Sequence, residues 1–564
     1  MAENAWDKEV DLLVVGSGAG AMTGAIAAAV HGHEALVIEK SDLYGGTSAT
    51  SGGGVWIPAS HHALAEGRED SPEDAFAYVR SLTDPEVPDA KVWAFVRGAP
   101  RMLQWMEAHS ELRMRPLPYT DYHQEKPGAK LGYRSHECYP LHGRELGKDF
   151  EHLRPPHPLT TFLGRVSWTT IESVPLLTRP PGWTKVFMRV MAGYLFDIPQ
   201  RLRSKRDRRL TLGNALIGRL KLSMDRLGVP LWLNTKLVEL IGSDGQVSGV
   251  LAESDGRTIR IRARRGVLLA AGGFERNTDM RRQYLPDAAA TTAWTGAQEN
   301  NTGDAIRAGM AAGAAVMNMD SAWWSPSIKI PGEDRARMMA FERALPGCII
   351  VNQIGRRYMN EALSYHVAGH KMLSENRPEA PTIPSWFIFD SQYRAAYPVG
   401  PMLPGMPDST IPKEMRSILV KAGDWDDFAR QAGLSAAALK ETIERFNGFA
   451  RSGDDKDFQR GGNAYDRYYG DPKVQPNPNL RALEKPPFYG LPIYPGDIGT
   501  NGGLVTDESG RVLNEQSEPI AGLYACGNCS ASVMGHSYPG AGSTLGPAMT
   551  FGFLAAKHAV GAND

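Results

Sequence analysis

Residues 10–39 read VDLLVVGSGAGAMTGAIAAAVHGHEALVIE. Residues 10–15 are a short run rich in Val and Leu, the pattern of a strand buried on both faces of a parallel sheet. Gly16-Ser17-Gly18-Ala19-Gly20-Ala21 follows at once and opens a helix of small residues reaching about Val30. Residues 35–38 then form a second apolar strand that ends in Glu39. Gly16 permits the tight turn, Gly18 lets the main chain approach a pyrophosphate, and Ala21 stands where helix and strand must pack closely. The start of the helix offers unpaired N–H groups and the positive end of its dipole to the phosphates. Glu39 lies about twenty residues beyond the glycines, where a carboxylate holds ribose hydroxyls. Strand, turn, helix, strand and acid in this order predict a dinucleotide site.

Working outward, the next segment decides which dinucleotide. Residues 42–56, DLYGGTSATSGGGVW, place Gly46, Thr47, Ser48, Ser51, Gly52 and Gly53 just after the ribose-binding strand. Main-chain amides and hydroxyls of this kind wrap a long cofactor. A nicotinamide site needs no second Gly-rich wrap, so FAD is expected. The same chemistry returns at 267–274, VLLAAGGF, and at 522–528, GLYACGN. Residues 538–546, YPGAGSTLG, read as a loop opening a helix whose amides face the pyrimidine edge of a flavin.

Composition narrows the remaining classes. Lys and Arg (62) nearly cancel Asp and Glu (63), which excludes the basic excess of a nucleic-acid partner. Four cysteines are too few for a disulfide framework. Cys526 and Cys529 form a lone CxxC that reads as two small buried residues, because no second pair completes a tetrahedral set; no metal is expected. His366 and His370, four apart, also lack a third ligand nearby in sequence. The first residues carry acids and no apolar core of a signal peptide, and no run of 18 apolar residues occurs, so a cytoplasmic protein is expected.

Taken together, VVGSGAGA, the strand ending in Glu39, GGTSATSGGGVW, VLLAAGGFERN, GRRYMNE (355–361) and GLYACGN resemble the FAD-dependent fumarate reductase/succinate dehydrogenase flavoprotein superfamily. The resemblance spans nearly the whole chain. It implies an α/β fold: a Rossmann-like FAD-binding domain built from both chain ends, with an inserted α+β catalytic domain. Residues 1–295 would be the first part, with 110–215 inserted into it; 296–487 the catalytic domain; and 488–564 the second part. Cofactor contacts are implied at Gly16, Gly18, Gly20, Ala21, Glu39, Lys40, Gly46, Thr47, Ser48, Ser51, Gly52, Gly53, Val238, Ala271, Gly272, Gly527, Asn528, Ser543 and Leu545.

Five residues after Asn360, where fumarate reductases carry a proton-donating Arg, this chain has Tyr365. A dicarboxylate needs fixed cations, because bidentate Arg matches a carboxylate; a Tyr suggests a neutral substrate. With Trp323-Trp324-Ser325-Pro326 and Ser537-Tyr538-Pro539-Gly540-Ala541-Gly542, the pattern resembles 3-ketosteroid Δ1-dehydrogenases. By that resemblance Tyr538 and the N–H of Gly542 hold a 3-keto oxygen, Tyr365 is the base, and Tyr122 supports it, with Tyr119 as the alternative. Tyr469 is a candidate pocket wall. The implied reaction is FAD-dependent 1,2-desaturation of a 3-ketosteroid, as in steroid degradation. The electron acceptor is left open, a quinone being one candidate. The rival readings are 4,5-desaturation, reduction of a small enoate, and a non-catalytic flavin-binding scaffold.

Residues 183–209 add a second expectation. Phe187, Val190, Met191, Tyr194 and Leu195 recur at helical spacing, and Arg201, Arg203, Lys205, Arg206, Arg208 and Arg209 follow. An apolar helix beside a basic cluster is the pattern of a segment lying on a membrane surface. The plain alternative is a packed helix followed by a solvated loop.

Overall fold

Strand β1 (Lys8–Val15) buries Val10 and Leu12–Val15 almost completely, as expected of a strand covered on both faces. In the computed structural model, which describes residues 5–243 and 245–562, β1 pairs in parallel with β2 (Ala35–Ile38) on one side and with Arg257–Leu269 on the other. The far edge of Val267–Leu269 pairs in parallel with Leu523–Ala525. The sheet therefore joins residues near both ends of the chain. An antiparallel pair, Thr235–Ser243 and Gln246–Ser254, extends it.

Helix α1 (Ala19–Val30) is buried along ten of its residues. Its small side chains explain how it packs on Leu545–Val560. A Cβ at Gly20 would lie 2.5 Å from the Ala548 carbonyl oxygen, and one at Gly552 would lie 2.2 Å from that of Gly20. Only main chain against main chain fits there.

Two compact units make up the chain. The first comprises 1–280, 298–322 and 499–564; the second comprises 281–297 and 323–498. These units do not coincide with the expected stretches 1–295, 296–487 and 488–564. Residues 298–322 stay with the first unit, where Asn301 donates to the Thr47 hydroxyl (3.1 Å) and Asp304 pairs with Lys40 (2.6 Å). Residues 281–297 and 488–498 stay with the second, where Arg281 pairs with Asp497 (2.8 Å) and the Thr295 hydroxyl donates to the same carboxylate (2.6 Å).

The second unit is built on an antiparallel sheet containing Cys348–Val351, Ser385–Phe389 and Phe488–Thr500. Ile350, Phe387, Phe389, Tyr393, Leu491 and Ile493 form its core, and Ala368 and Met372 of the helix Tyr365–Ser374 pack on it. Residues 110–215 belong to the first unit and contribute short antiparallel pairs and the helices Thr170–Thr178 and Trp183–Leu195. Among the described residues, no helix is long and apolar enough to cross a membrane.

Candidate active site

The glycine turn after β1 has the geometry its sequence requires. Gly16 has φ +102°, and a Cβ there would sit 2.5 Å from the Ala270 carbonyl oxygen, so the turn admits no side chain. Gly18 caps α1 and brings no side chain to close it; Ser48 Oγ accepts from the Ala19 amide (3.2 Å). The Glu39 carboxylate accepts from Ser17 Oγ (2.6 Å) and from the Ser41 amide (3.0 Å), which fixes its orientation at the end of β2. Gly46 and Gly52 open onto free space, whereas Gly53 packs against the main chain of Leu212 and Gly213. Ser51 shapes the turn, donating to Ser48 O (2.9 Å) and accepting from Gly53 N (3.0 Å).

The remaining expected cofactor positions divide in the same way. The Ala271 amide donates to Cys529 Sγ (2.9 Å), and Gly272 lies against Asn301. Val238 falls between the paired residues Leu237 and Glu239 at a bulge, with its side chain half exposed. Lys40 Nζ donates to the Thr302 hydroxyl (2.6 Å) and pairs with Asp304 (2.6 Å). Gly527 (φ +66°) and Asn528 begin a short turn, with Asn528 Nδ2 3.5 Å from Glu275. Ser543 bonds Gly540 both as donor (2.7 Å) and as acceptor (3.0 Å), and Leu545 opens a 16-residue helix that has no side-chain cap. Burial pushes both thiols of the CxxC up, Cys529 to about 12, which suits packing residues and not redox thiols. Two helix starts without side-chain caps, an oriented acid and glycines facing open space form a donor set that fits FAD.

The loop carrying Tyr538 is fixed by buried polar side chains. The Pro539 carbonyl accepts from Tyr78 Oη (2.7 Å) and from the Tyr122 amide (2.8 Å), and Tyr78 Oη accepts from the His123 amide (3.1 Å). Tyr122 and Tyr538 consequently stack, with ring centroids 5.8 Å apart and 17° between their planes. Burial and the nearby Asp121 push the Tyr78 phenol well above its ordinary value, so it donates as a neutral hydroxyl. Asp121 takes Trp56 Nε1 (2.9 Å) and Arg134 (2.8 Å), and Arg134 also pairs with Asp70 (2.6 Å). Ser135 Oγ donates to Ala541 O (2.7 Å) and the Trp56 amide to Gly542 O (3.1 Å). Gly542 has φ +100°, and a Cβ there would meet Gly54, Val55 and Trp56 at 2.6 Å. Trp56, Tyr78, Asp121 and Arg134, which hold this loop, were not legible in the sequence: their partners lie far apart in the chain, and no local spacing marks them.

In the second unit Tyr365 is buried and is the first residue of the ten-residue helix Tyr365–Ser374, capped by Ser364 Oγ. The turn before it is clamped. Arg343 donates to the carbonyls of Glu361 (2.7 Å) and Leu363 (3.1 Å), while the Glu361 carboxylate pairs with Arg357 (2.8 Å) and Arg460 (3.1 Å). Tyr469 stands edge-on to Tyr465 and Tyr468 in the same unit. Tyr119 is partly exposed in the first unit.

The segment 183–209 departs from its expected charge pattern. Arg208 pairs with Asp197, Arg209 with Glu172 (2.9 Å), and Arg206 lies over the Phe150 ring (4.4 Å) and donates to Phe150 O. Two of the six basic residues, Arg208 and Arg209, are therefore paired with carboxylates inside the protein. The apolar side chains Leu163, Met188, Leu195, Phe196, Ile198 and Leu202 are exposed, Leu202 by 83% and Phe196 by 78%.

Comparison with known proteins identifies the family of the chain. The chain matches the FAD binding domain family over residues 11–545. It is 42% identical over 567 residues to a 3-oxosteroid 1-dehydrogenase of Mycobacterium tuberculosis, covering 98% of each chain. It is also 35% identical over 568 residues to a 4-oxocyclohexanecarboxylate 2-dehydrogenase of Sinomonas cyclohexanicum, covering 98% of this chain and 93% of the relative. Among solved structures it superposes on the 3-ketosteroid delta1-dehydrogenase of Sterolibacterium denitrificans, in complex with 1,4-androstadiene-3,17-dione, with a TM-score of 0.94 and 44% identity over 99% and 100% of the two chains. The chain is thus a flavoprotein of mixed α/β fold, and it belongs to the 3-oxosteroid 1-dehydrogenase family.

Proposed function

We propose that this protein desaturates the 1,2 bond of 3-ketosteroids. The observation that carries the reading is the buried Tyr538, stacked on Tyr122 in a loop fixed from several sides and ending at Gly542. Removing hydrogen beside a ketone takes a proton from the α carbon and a hydride from the β carbon. FAD, when bound, supplies the hydride acceptor. The chain's own residues do the rest. Tyr538 Oη and the Gly542 N–H donate to the keto oxygen as negative charge builds there, and one such donor typically contributes about 2.7–4 kcal/mol to lowering the barrier. Tyr365 takes the α proton. As the first residue of the helix Tyr365–Ser374 it sits at the positive end of the helix dipole, which favours negative charge there. The first unit serves as the flavin domain drawn from both chain ends and the second as the catalytic domain.

Anaerobic addition of a 3-keto-4-ene steroid to the oxidised protein bleaches the flavin, and mass and NMR analysis finds the new double bond at C1–C2. A 4,5 product, or no bleaching with any ketosteroid, overturns the assignment. A second substrate class has a specific basis in the 35% identical relative that acts on 4-oxocyclohexanecarboxylate. Turnover of that acid faster than of the steroid would favour it.

The exposed apolar side chains between residues 163 and 202 support a peripheral membrane contact, since the substrate class partitions into lipid. Burial of Phe196 and Leu202 would carry the binding, with the basic residues not paired to carboxylates adding attraction to an anionic surface. Flotation with neutral and anionic vesicles tests this, and absence of the protein from both lipid fractions rejects it.

A further inference from the structure

His61 and His62 open the short helix His61–Ala65 and point to one place. His61 Nε2 lies 2.9 Å and His62 Nε2 2.8 Å from the same oxygen, Oε2 of Glu107 on the helix Asp89–His109. The two rings sit 4.0 Å apart, and all three ligand atoms lie within 4.8 Å of one another. Nothing described for the flavin or the ketone uses these groups.

The surroundings hold them in place. Ser60 caps the helix, its Oγ accepting from Ala63 N (3.1 Å) and contacting His136 Nε2 (2.8 Å). The other oxygen of Glu107 accepts from the Met114 amide (2.8 Å), which fixes the carboxylate plane. The histidines are about one-third exposed and Glu107 less so, leaving a solvent side for a further ligand.

We infer that His61, His62 and Glu107 form a binding site for a borderline divalent transition-metal ion, zinc being the natural occupant. Two neutral imidazoles and one carboxylate, with water in the fourth position, make up a tetrahedral zinc set and suit neither calcium nor magnesium. Bonds of about 2.0–2.1 Å place tetrahedral ligands about 3.3 Å apart, so each histidine–carboxylate separation needs to widen by about half an ångström. His61 Nδ1 is buried without a hydrogen-bond partner among the described residues. Metal binding at Nε2 moves the ring proton to this atom, where no acceptor orients it. A missing outer partner of this kind costs about 10–100-fold in affinity. A bound ion ties the start of the short helix His61–Ala65 to the helix Asp89–His109.

Tag-free holoprotein, treated with a chelator and dialysed, is titrated with zinc by calorimetry and with cobalt by visible absorption beyond the flavin bands. One ion per chain is expected, with tetrahedral cobalt bands, and zinc-edge X-ray absorption shows two imidazole nitrogens plus oxygen and no sulfur. His62→Gln and Glu107→Gln each weaken binding at least tenfold while the flavin absorbance stays unchanged. No stoichiometric binding, unaltered affinity in both variants, or sulfur in the zinc shell would overturn the assignment.

Discussion

The glycine turn at residues 16–20 and the tyrosine loop at residues 538–542 belong to the same unit, yet they are held in place by opposite means. At the turn, absent side chains allow main chain to touch main chain: Gly16 against Ala270, and Gly20 against Ala548. At the loop, Tyr78, Trp56, Asp121, Arg134 and Ser135 reach in from distant segments and anchor the backbone through hydrogen bonds and buried charge. A site for a phosphate-bearing cofactor can be assembled from amides. Under the proposed mechanism, aiming the Tyr538 phenol at a ketone oxygen takes a rigid scaffold of side chains.

Substitutions can break this contrast, and the largest effect belongs to the turn. Gly16→Val forces a branched side chain into a left-handed position already in contact with Ala270, so the protein should be recovered without flavin, as read from its visible absorbance. Tyr538→Phe and Tyr365→Phe come next. Each should lower kcat by about a hundredfold or more with FAD retained, measured by steady-state turnover of a 3-ketosteroid. Near-normal turnover in either variant removes that residue from the chemistry.

Tyr78→Phe sharpens the comparison. It deletes the hydroxyl that joins Pro539 to His123 but leaves the flavin turn alone. Roughly a tenfold fall in kcat with full flavin content is expected, because a small misplacement of a reacting group is costly. Loss of flavin would show that the two regions are not independently supported.

The smallest effect concerns His536, two residues before Tyr538, which contacts Asp84 (2.7 Å) and Asp320 (3.2 Å). Burial alone would depress its imidazole, but hydrogen bonds to the two carboxylates outweigh burial and hold it above the ordinary value. The stabilisation is complete below the unfolded value, about 6.5, and is lost as the pH rises through the higher folded value. Thermal midpoints at pH 6 and pH 8 should therefore fall with pH a little more steeply in the wild type than in His536→Gln.

The contrast also explains what was legible in the sequence. The cofactor region is written in consecutive residues, so β1, its glycines, α1 and Glu39 can be placed from residue order alone. Tyr365 and Tyr538 stand out because each adjoins a recognisable segment. The anchors of the tyrosine loop were not legible: Tyr78 and Pro539 are 461 residues apart, and an isolated Tyr or Arg carries no periodic signature. The extents of the compact units were not legible for the same reason, since Asn301 and Asp497 reveal their allegiance only through distant partners. At residues 201–209 the sequence showed the positive charges but not the carboxylates of Glu172 and Asp197 that meet them.

The sheet that joins Lys8–Val15 to Pro519–Ala525 by way of Arg257–Leu269, with Leu545–Val560 lying on α1, has a consequence for biosynthesis. The first strand leaves the ribosome long before the elements that complete its sheet and cover its helix. A nascent chain must keep that early apolar stretch out of aggregates until those elements emerge.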